Sequence, residues 1–234
     1  MMYARPRRRS ARLLTLLIAL APAAVSAQAR PTPAPALGQN MVRNAGCEAS
    51  HDNPSDPGVP EVWQGDFRCT TYGSVGGEWD WNVPGVAGGG QHYFRVSVTD
   101  STPAPRLAES FALAGIAPAA IDSGKVRFTL AANLGTFPGD AQPTFTLSAH
   151  FLDASGHEVA VSGAAPTLDL ATVTLPQPTV GGASMGPATV SGTVPAGVRR
   201  VEIRFAAGPA AGHSPPETSP AFADNVSFVL SRVP

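Results

Sequence analysis

Apolar and polar residues alternate one by one through most of the chain beyond residue 120, the pattern of strands that bury one face. In Lys125–Ala132 the residues Val126, Phe128 and Leu130 alternate with polar neighbours, and Thr144–Leu152 repeats the device with Phe145, Leu147, Ala149 and Phe151. Asp153-Ala154-Ser155-Gly156 reads as a turn, after which His157–Ser162 returns the chain as a hairpin. Pro195-Ala196-Gly197 turns into Val198–Phe205, where Val201, Ile203 and Phe205 point inward and Arg200, Glu202 and Arg204 outward. In Phe222–Leu230 the same period places Asp224 in one row with Phe222, Val226, Phe228 and Leu230. Helical periodicity is confined to the N-terminus and a short turn near Ile116–Ile121. Short strands punctuated by Gly and Pro predict an all-β fold, an antiparallel β-sandwich of jelly-roll type. Residues 163–187 and 206–220, rich in Gly, Pro and Ser, are expected to be irregular loops.

The N-terminus adds a compartment to this picture. Arg5, Arg7, Arg8, Arg9 and Arg12 precede the apolar run Leu13–Leu20, and Val25-Ser26-Ala27 offers a small-x-small cleavage site. Residues 1–27 therefore read as a secretory signal peptide, too short in its apolar part to span a bilayer. Residues 28–36 form a Pro- and Ala-rich linker, and residues 37–231 a single domain. The expected location is secreted or periplasmic, without membrane insertion.

Removing the signal changes the charge. The chain has 16 Lys plus Arg against 17 Asp plus Glu, and five arginines but no acid lie in residues 1–27, so the mature balance is about minus six. A net acidic, unclustered surface argues against nucleic acid as a partner. Both cysteines, Cys47 and Cys69, survive cleavage, and an even count in an exported chain reads as a disulfide. Two alternatives carry less: Ala45-Gly46-Cys47 has no apolar run before it for lipoprotein processing, and neither cysteine has a partner at zinc-ligand spacing.

Asp224 is the residue whose position asks for chemistry. A carboxylate in an apolar row must be hydrogen-bonded by backbone, paired with a cation or bound to a metal. The aromatic residues ask a second question, because Trp63, Phe67, Tyr72, Trp79, Trp81, Tyr93 and Phe94 crowd into one third of the mature chain. Trp79 and Trp81, with Tyr72, Glu78 and Asp80 nearby, have the flat faces and polar neighbours that bind sugar rings; a tryptophan pair packed as core is the competing reading. No Gly-x-Ser-x-Gly elbow and no His-x-x-x-His pair is present, and acids near tryptophans suit a binding module as well as a glycosidase, so no enzyme activity is expected.

Several segments resemble one family. Leu37-Gly-Gln-Asn-Met-Val-Arg-Asn-Ala-Gly-Cys-Glu48 resembles the opening strand of the galactose-binding-like, carbohydrate-binding jelly rolls attached to bacterial cellulases and other secreted glycan-active proteins. Gly192–Gly197 and Ala221–Leu230 resemble that family's last two strands, Ala119–Gly124 and Phe151–Gly156 fit its middle, and Pro60-Glu61-Val62-Trp63 matches its core tryptophan. The resemblance implies a structural calcium where first and last strands meet, held by Glu48 and Asp224 with backbone carbonyls. Cys47 departs from it, standing where the family has an aromatic. The function implied is non-catalytic binding of a polysaccharide or cell-surface glycan, with Ca2+ as cofactor. The alternative is a secreted structural or adhesive protein of the same fold with no sugar site.

Overall fold

The computed structural model describes residues 36–53, 56–65, 67–73, 85–96, 106–137, 142–161, 165–176, 182–210, 213 and 220–233. They build a two-sheet antiparallel sandwich with a short hairpin at one side, β1 (Ser50–Asn53) with β2 (Asp56–Pro60). The five-stranded sheet has the order β3 (Arg68–Thr71), β4 (His92–Val96), β11 (Ala221–Arg232), β6 (Val126–Thr136), β9 (Ser184–Thr193). The four-stranded sheet has the order β5 (Arg106–Ala112), β10 (Arg200–Gly208), β7 (Thr144–Leu152), β8 (Thr167–Asp169). From β4 onward the chain changes sheet at every step except β7 to β8, which gives the jelly-roll architecture. Helix is confined to α1 (Pro118–Asp122) and one 3-10 turn at Leu170–Thr172 among the described residues.

Strict alternation produced the strands it predicted. Val126, Phe128, Leu130, Phe145, Leu147, Ala149, Phe151, Val201, Ile203 and Phe205 are all buried in the main core. Phe205 is its hub: its ring lies 5.1 to 5.6 Å from those of Trp63, Phe67, Phe94 and Phe145. Trp63 belongs to structure, buried and donating its indole N–H to the Arg43 carbonyl. The expected hairpin after Gly156 is reduced to one bridge, Leu152 to Glu158.

The expected loop 163–187 is overturned in part, since it holds β8, the 3-10 turn and the start of β9. β9 reads Ser-Met-Gly-Pro-Ala-Thr-Val-Ser-Gly-Thr, with Gly186 and Gly192 where alternation expects large apolar residues and Pro187 on the exposed row. Its neighbours explain that choice. A β-carbon on Gly192 would strike the Phe128 ring, and β9 is an edge strand, the place where a sheet tolerates Pro187. Likewise β10 runs to Gly208, three residues into the second expected loop.

Residues 37–48 form a strap along β11. Gly38 and Met41 donate to the Leu230 and Phe228 carbonyls, and the Asn40 side chain accepts from the Val42 and Phe228 amides while donating to the Val226 carbonyl. Cys47 is joined to Cys69 of β3, as the even cysteine count implied.

Because Phe205 touches four other rings, Phe205→Ala should cost about 3 to 5 kcal/mol, whereas the exposed Ser231→Ala should change stability by less than about 0.5 kcal/mol. Urea unfolding of both variants measures the contrast, and equal midpoints would show that Phe205 is not the hub.

Candidate functional site

The site is made by an irregularity in β11. Ala221 and Ala223 pack in the main core, and so do Val226, Phe228 and Leu230; between them the pairing with β6 shifts register, and Asn225 adopts the left-handed conformation with φ 51°. Asn is among the side chains that tolerate this region, and the extra residue of such a bulge reverses which parity points inward. The single-row reading of Phe222–Leu230 is therefore corrected. Phe222 packs on the opposite face of the five-stranded sheet, in a second cluster with Tyr93, Ala183 and Met185, against which Tyr72, Val86 and Phe137 lean. Asp224 shares the parity of Phe222 and lies at the edge of that outer cluster, fully buried.

Its oxygens have partners. Oδ1 accepts from the Asn225 amide at 2.6 Å and Oδ2 from the Tyr72 hydroxyl at 2.8 Å. Burial pushes the Asp224 carboxyl up to about 7; the Tyr72 and Asn225 hydrogen bonds pull it down, and the negative Glu48 adds to the rise. Burial and then Asp224 push the Tyr72 hydroxyl far above its ordinary value, which keeps it a donor.

The strap brings Glu48 to the same place. Its Oε1 accepts from the Gln91 and His92 amides, each at 2.9 Å, and Oε2 lies 3.2 Å from His92 Nδ1. The Glu48 side chain is 46% exposed, so the pair has one buried and one solvent-facing member. Around them the chain is stripped to glycine. A β-carbon on Gly46 would lie 3.0 Å from Asp224 Oδ1, 3.5 Å from the Gly89 carbonyl oxygen and 3.7 Å from Glu48 Oε1. One on Gly89 would strike Asp224 Oδ2, and one on Gly90 would strike Glu48 Oε1. Three oxygens from three segments thus converge on a space kept open by absent side chains. Hard oxygens of this kind suit a hard cation such as calcium, which draws on carboxylates, carbonyls and water together. Among the described residues no group of three or more His, Cys, Asp and Glu side chains that could hold a metal ion assembles.

The predicted sugar-binding residues divide. Glu78, Trp79, Asp80 and Trp81 lie outside the described residues. Tyr72 is half-buried, its ring centroid 4.8 Å from that of Tyr93, with its hydroxyl committed to Asp224. The segment between Tyr72 and Gly85 starts and ends on the outer cluster: a β-carbon on Gly85 would meet the Tyr72 ring, and Val86 packs beside it. Beyond Asp224 the same outer face turns polar and small. Ser227, Ala131 and Thr189 lie in one cross-strand row and Val229, Thr129 and Ser191 in the next.

Glu109 was missed. It is fully buried on β5, and Arg43 grips it with its backbone amide, 2.9 Å from Oε2, and its Nε at 2.6 Å. Burial raises its carboxyl to about 7 against the lowering effect of Arg43. The signal was available: Glu109 and Phe111 alternate with Ala108 and Ser110, the same argument that singled out Asp224. On the outer face of the four-stranded sheet, His150 bridges Ser148 Oγ at 2.9 Å and Glu158 Oε1 at 2.8 Å. A cleft of about 580 Å³ lies elsewhere, between β9 and the residues Ala160, Val161 and Pro166, with Phe128, Val190, Ser191, Thr193 and Asp122 also in its lining; neither this histidine network nor the predicted site residues enter it.

No protein-family model matches the sequence, and no curated protein matches it. Solved structures similar to the chain include the enzymatically active domain of tailspike protein 4 of bacteriophage CBA120, at 18% identity and TM-score 0.46, with 82% of this chain and 21% of that chain covered. This protein thus spans about a fifth of the tailspike chain. Another is the carbohydrate-binding module TmCBM61 in complex with β-1,4-galactotriose, at 12% identity and TM-score 0.41, covering 83% of this chain and 99% of that one. A third is the CBM22-1 xylan-binding domain from Paenibacillus barcinonensis, at 11% identity and TM-score 0.36, covering 76% and 90%.

Glu109 sets a pH response with a definite sign. A folded carboxyl at about 7, above its ordinary value of 4.5, contributes stability fully present below the ordinary value and lost as pH rises through 7. Glu109→Gln cannot titrate, so wild type should lose its advantage over the variant between pH 4.5 and 7.5. Melting temperatures of both proteins across that range test this, and a constant gap would contradict it.

Proposed function

We propose that the protein is an exported, non-catalytic glycan-binding module whose fold is tied by a calcium ion, with the outer face of the five-stranded sheet as its glycan surface. The observation that carries the reading is the composition of that face. An aromatic cluster meets a flat, hydroxyl-bearing, uncharged strip formed by Thr129, Thr189, Ser191 and Ser227, and the segment bearing Trp79 and Trp81 leaves and rejoins the sheet on the aromatic side. Apolar rings take the C–H face of a sugar and hydroxyls take its polar rim. Trp79 and Trp81 serve as the platform in this reading, with Glu78 and Asp80 beside them, and the acidic mature surface selects a neutral or weakly basic polysaccharide. Tyr72 supports the platform from below, through its contact with Tyr93.

Glu48, Asp224 and the Gly89 carbonyl would hold the calcium, which supplies the positive charge that two adjacent carboxylates call for. Its role is to join strap, β4 and β11.

Two measurements test the two halves. Affinity electrophoresis through neutral polysaccharides should retard wild type, while Trp79→Ala and Trp81→Ala migrate freely with unchanged melting temperatures. Early unfolding of both variants, or no retardation of wild type by a broad panel, would assign these tryptophans to the core and remove the glycan reading. For the metal, calcium should raise the melting temperature by mass action. Gly46→Ala, whose new methyl fills the space between the three oxygens, should abolish that response and leave the calcium-free melting temperature within a few degrees of wild type; an unaltered calcium response would place the ion elsewhere.

A further inference from the structure

Cys47 stands between Gly46 and Glu48, so the residue that carries the disulfide sits inside the segment that supplies one side of the cation space. Its backbone is left-handed, with φ 60°, a region that a cysteine adopts only when its surroundings impose it. Asn44 is also left-handed, at φ 47°, but its conformation has local support: its side chain donates to the Ala49 and Glu61 carbonyls and accepts from the Ala49 amide. Cys47 donates its amide to the Asn44 carbonyl, its side chain is fully buried in the main core, and that buried side chain is bonded to Cys69. Cys69 lies on β3 directly opposite Phe94 of β4, two residues along from His92, whose amide binds Glu48. The disulfide therefore anchors the strap to the same pair of strands that orients Glu48.

We propose that the Cys47–Cys69 disulfide completes the cation site, so that only the oxidised chain holds the cation tightly and loading follows oxidation. The proposal rests on the calcium reading above. Reduction by a dithiol moves two electrons: the S–S bond of Cys47–Cys69 breaks, each sulfur takes a proton from the dithiol, and the dithiol closes to its own disulfide. Freed of that bond, Cys47 returns to a right-handed or extended backbone, which turns the Gly46 and Glu48 peptides away from Asp224. The rest of the strap stays docked, because Asn40, the Arg43–Glu109 pair and the bond from the Val226 amide to the Ala45 carbonyl do not involve sulfur. What is lost is the convergence of oxygens.

Calcium titration calorimetry on the oxidised chain, the dithiol-treated chain and two double variants tests this. Reduced protein and the Cys47→Ser/Cys69→Ser pair should bind calcium about tenfold or more weakly, tenfold being ~1.4 kcal/mol. The Cys47→Gly/Cys69→Ser pair should recover part of that affinity, because glycine takes the left-handed conformation freely. Equal affinity in oxidised and reduced protein overturns the proposal, and so does a glycine pair no better than the serine pair. Oxidised wild type that binds no calcium instead removes the calcium reading beneath it. Coupling is reciprocal, so a check on wild type alone exists even where a variant fails to fold. In a dithiol/disulfide buffer, quantified by alkylation and mass, saturating calcium should shift the thiol–disulfide equilibrium toward the disulfide by the same factor as the affinity change; identical oxidised fractions with calcium and with chelator would refute the coupling.

Discussion

The bulge at Asp224–Ser227 is the constraint on which the rest of the molecule turns. Without it β11 would keep one parity along its length, and either Ala221 and Ala223 or Val226, Phe228 and Leu230 would leave the main core. With it, the strand fills the sandwich from both halves and still directs Phe222 and Asp224 to the other face. The bulge also marks a change of neighbour: before it β11 pairs with β4, and after it the strap runs alongside, beginning with the bond from the Val226 amide to the Ala45 carbonyl. One left-handed asparagine thereby creates both the outer aromatic cluster and the meeting point of strap, β4 and β11.

What could be read from the sequence follows from how strictly one face is buried. β6, β7 and β10 bury apolar side chains at every second position, so their alternation is unambiguous and their placement came out as expected. β9 is an edge strand that meets Phe128 with a glycine, so the feature that lets it pack also removes its signal. Asp224 was found by an argument whose premise failed: alternation marked it as anomalous, but a bulge is a local left-handed turn that periodicity averages over. The chemical demand survived the change of face, because burial and not orientation makes a carboxylate need partners. The glycines beside Asp224 and Glu48 were present in the sequence, but only three-dimensional proximity shows that Gly46, Gly89 and Gly90 surround the same two acids.

The two fully buried carboxylates among the described residues, Asp224 and Glu109, stand where the strap meets the sandwich, and this is not a coincidence of composition. The strap is short and fully buries Met41, Val42 and Cys47, with Leu37 and Ala45 partly buried beside them, a modest apolar contribution against the entropy of ordering it. Directional contacts make up the difference: the Asn40 side chain with β11, Arg43 with Glu109, Asn44 with Ala49 and Glu61, and Glu48 with the Gln91 and His92 amides. The Asn40, Arg43 and Asn44 contacts are partly withdrawn from water, so moving the strap would leave polar groups unpaired there, whereas the Glu48 contacts are solvent-exposed and cost less to lose.

That dependence separates the two faces of the sandwich in kind. The interior between the sheets is held mainly by rings and aliphatic side chains. The junction at the strap is held by carboxylates, amides and a disulfide, all of which respond to solution conditions. The outer aromatic cluster belongs to the second group, since Tyr72 links it to Asp224 and the residues from Gly85 to His92 link it to Asp224 and Glu48. A ligand surface on that face is therefore mechanically tied to the polar junction and not to the core, which is why its properties should follow the state of the junction while the sandwich beneath it stays unchanged.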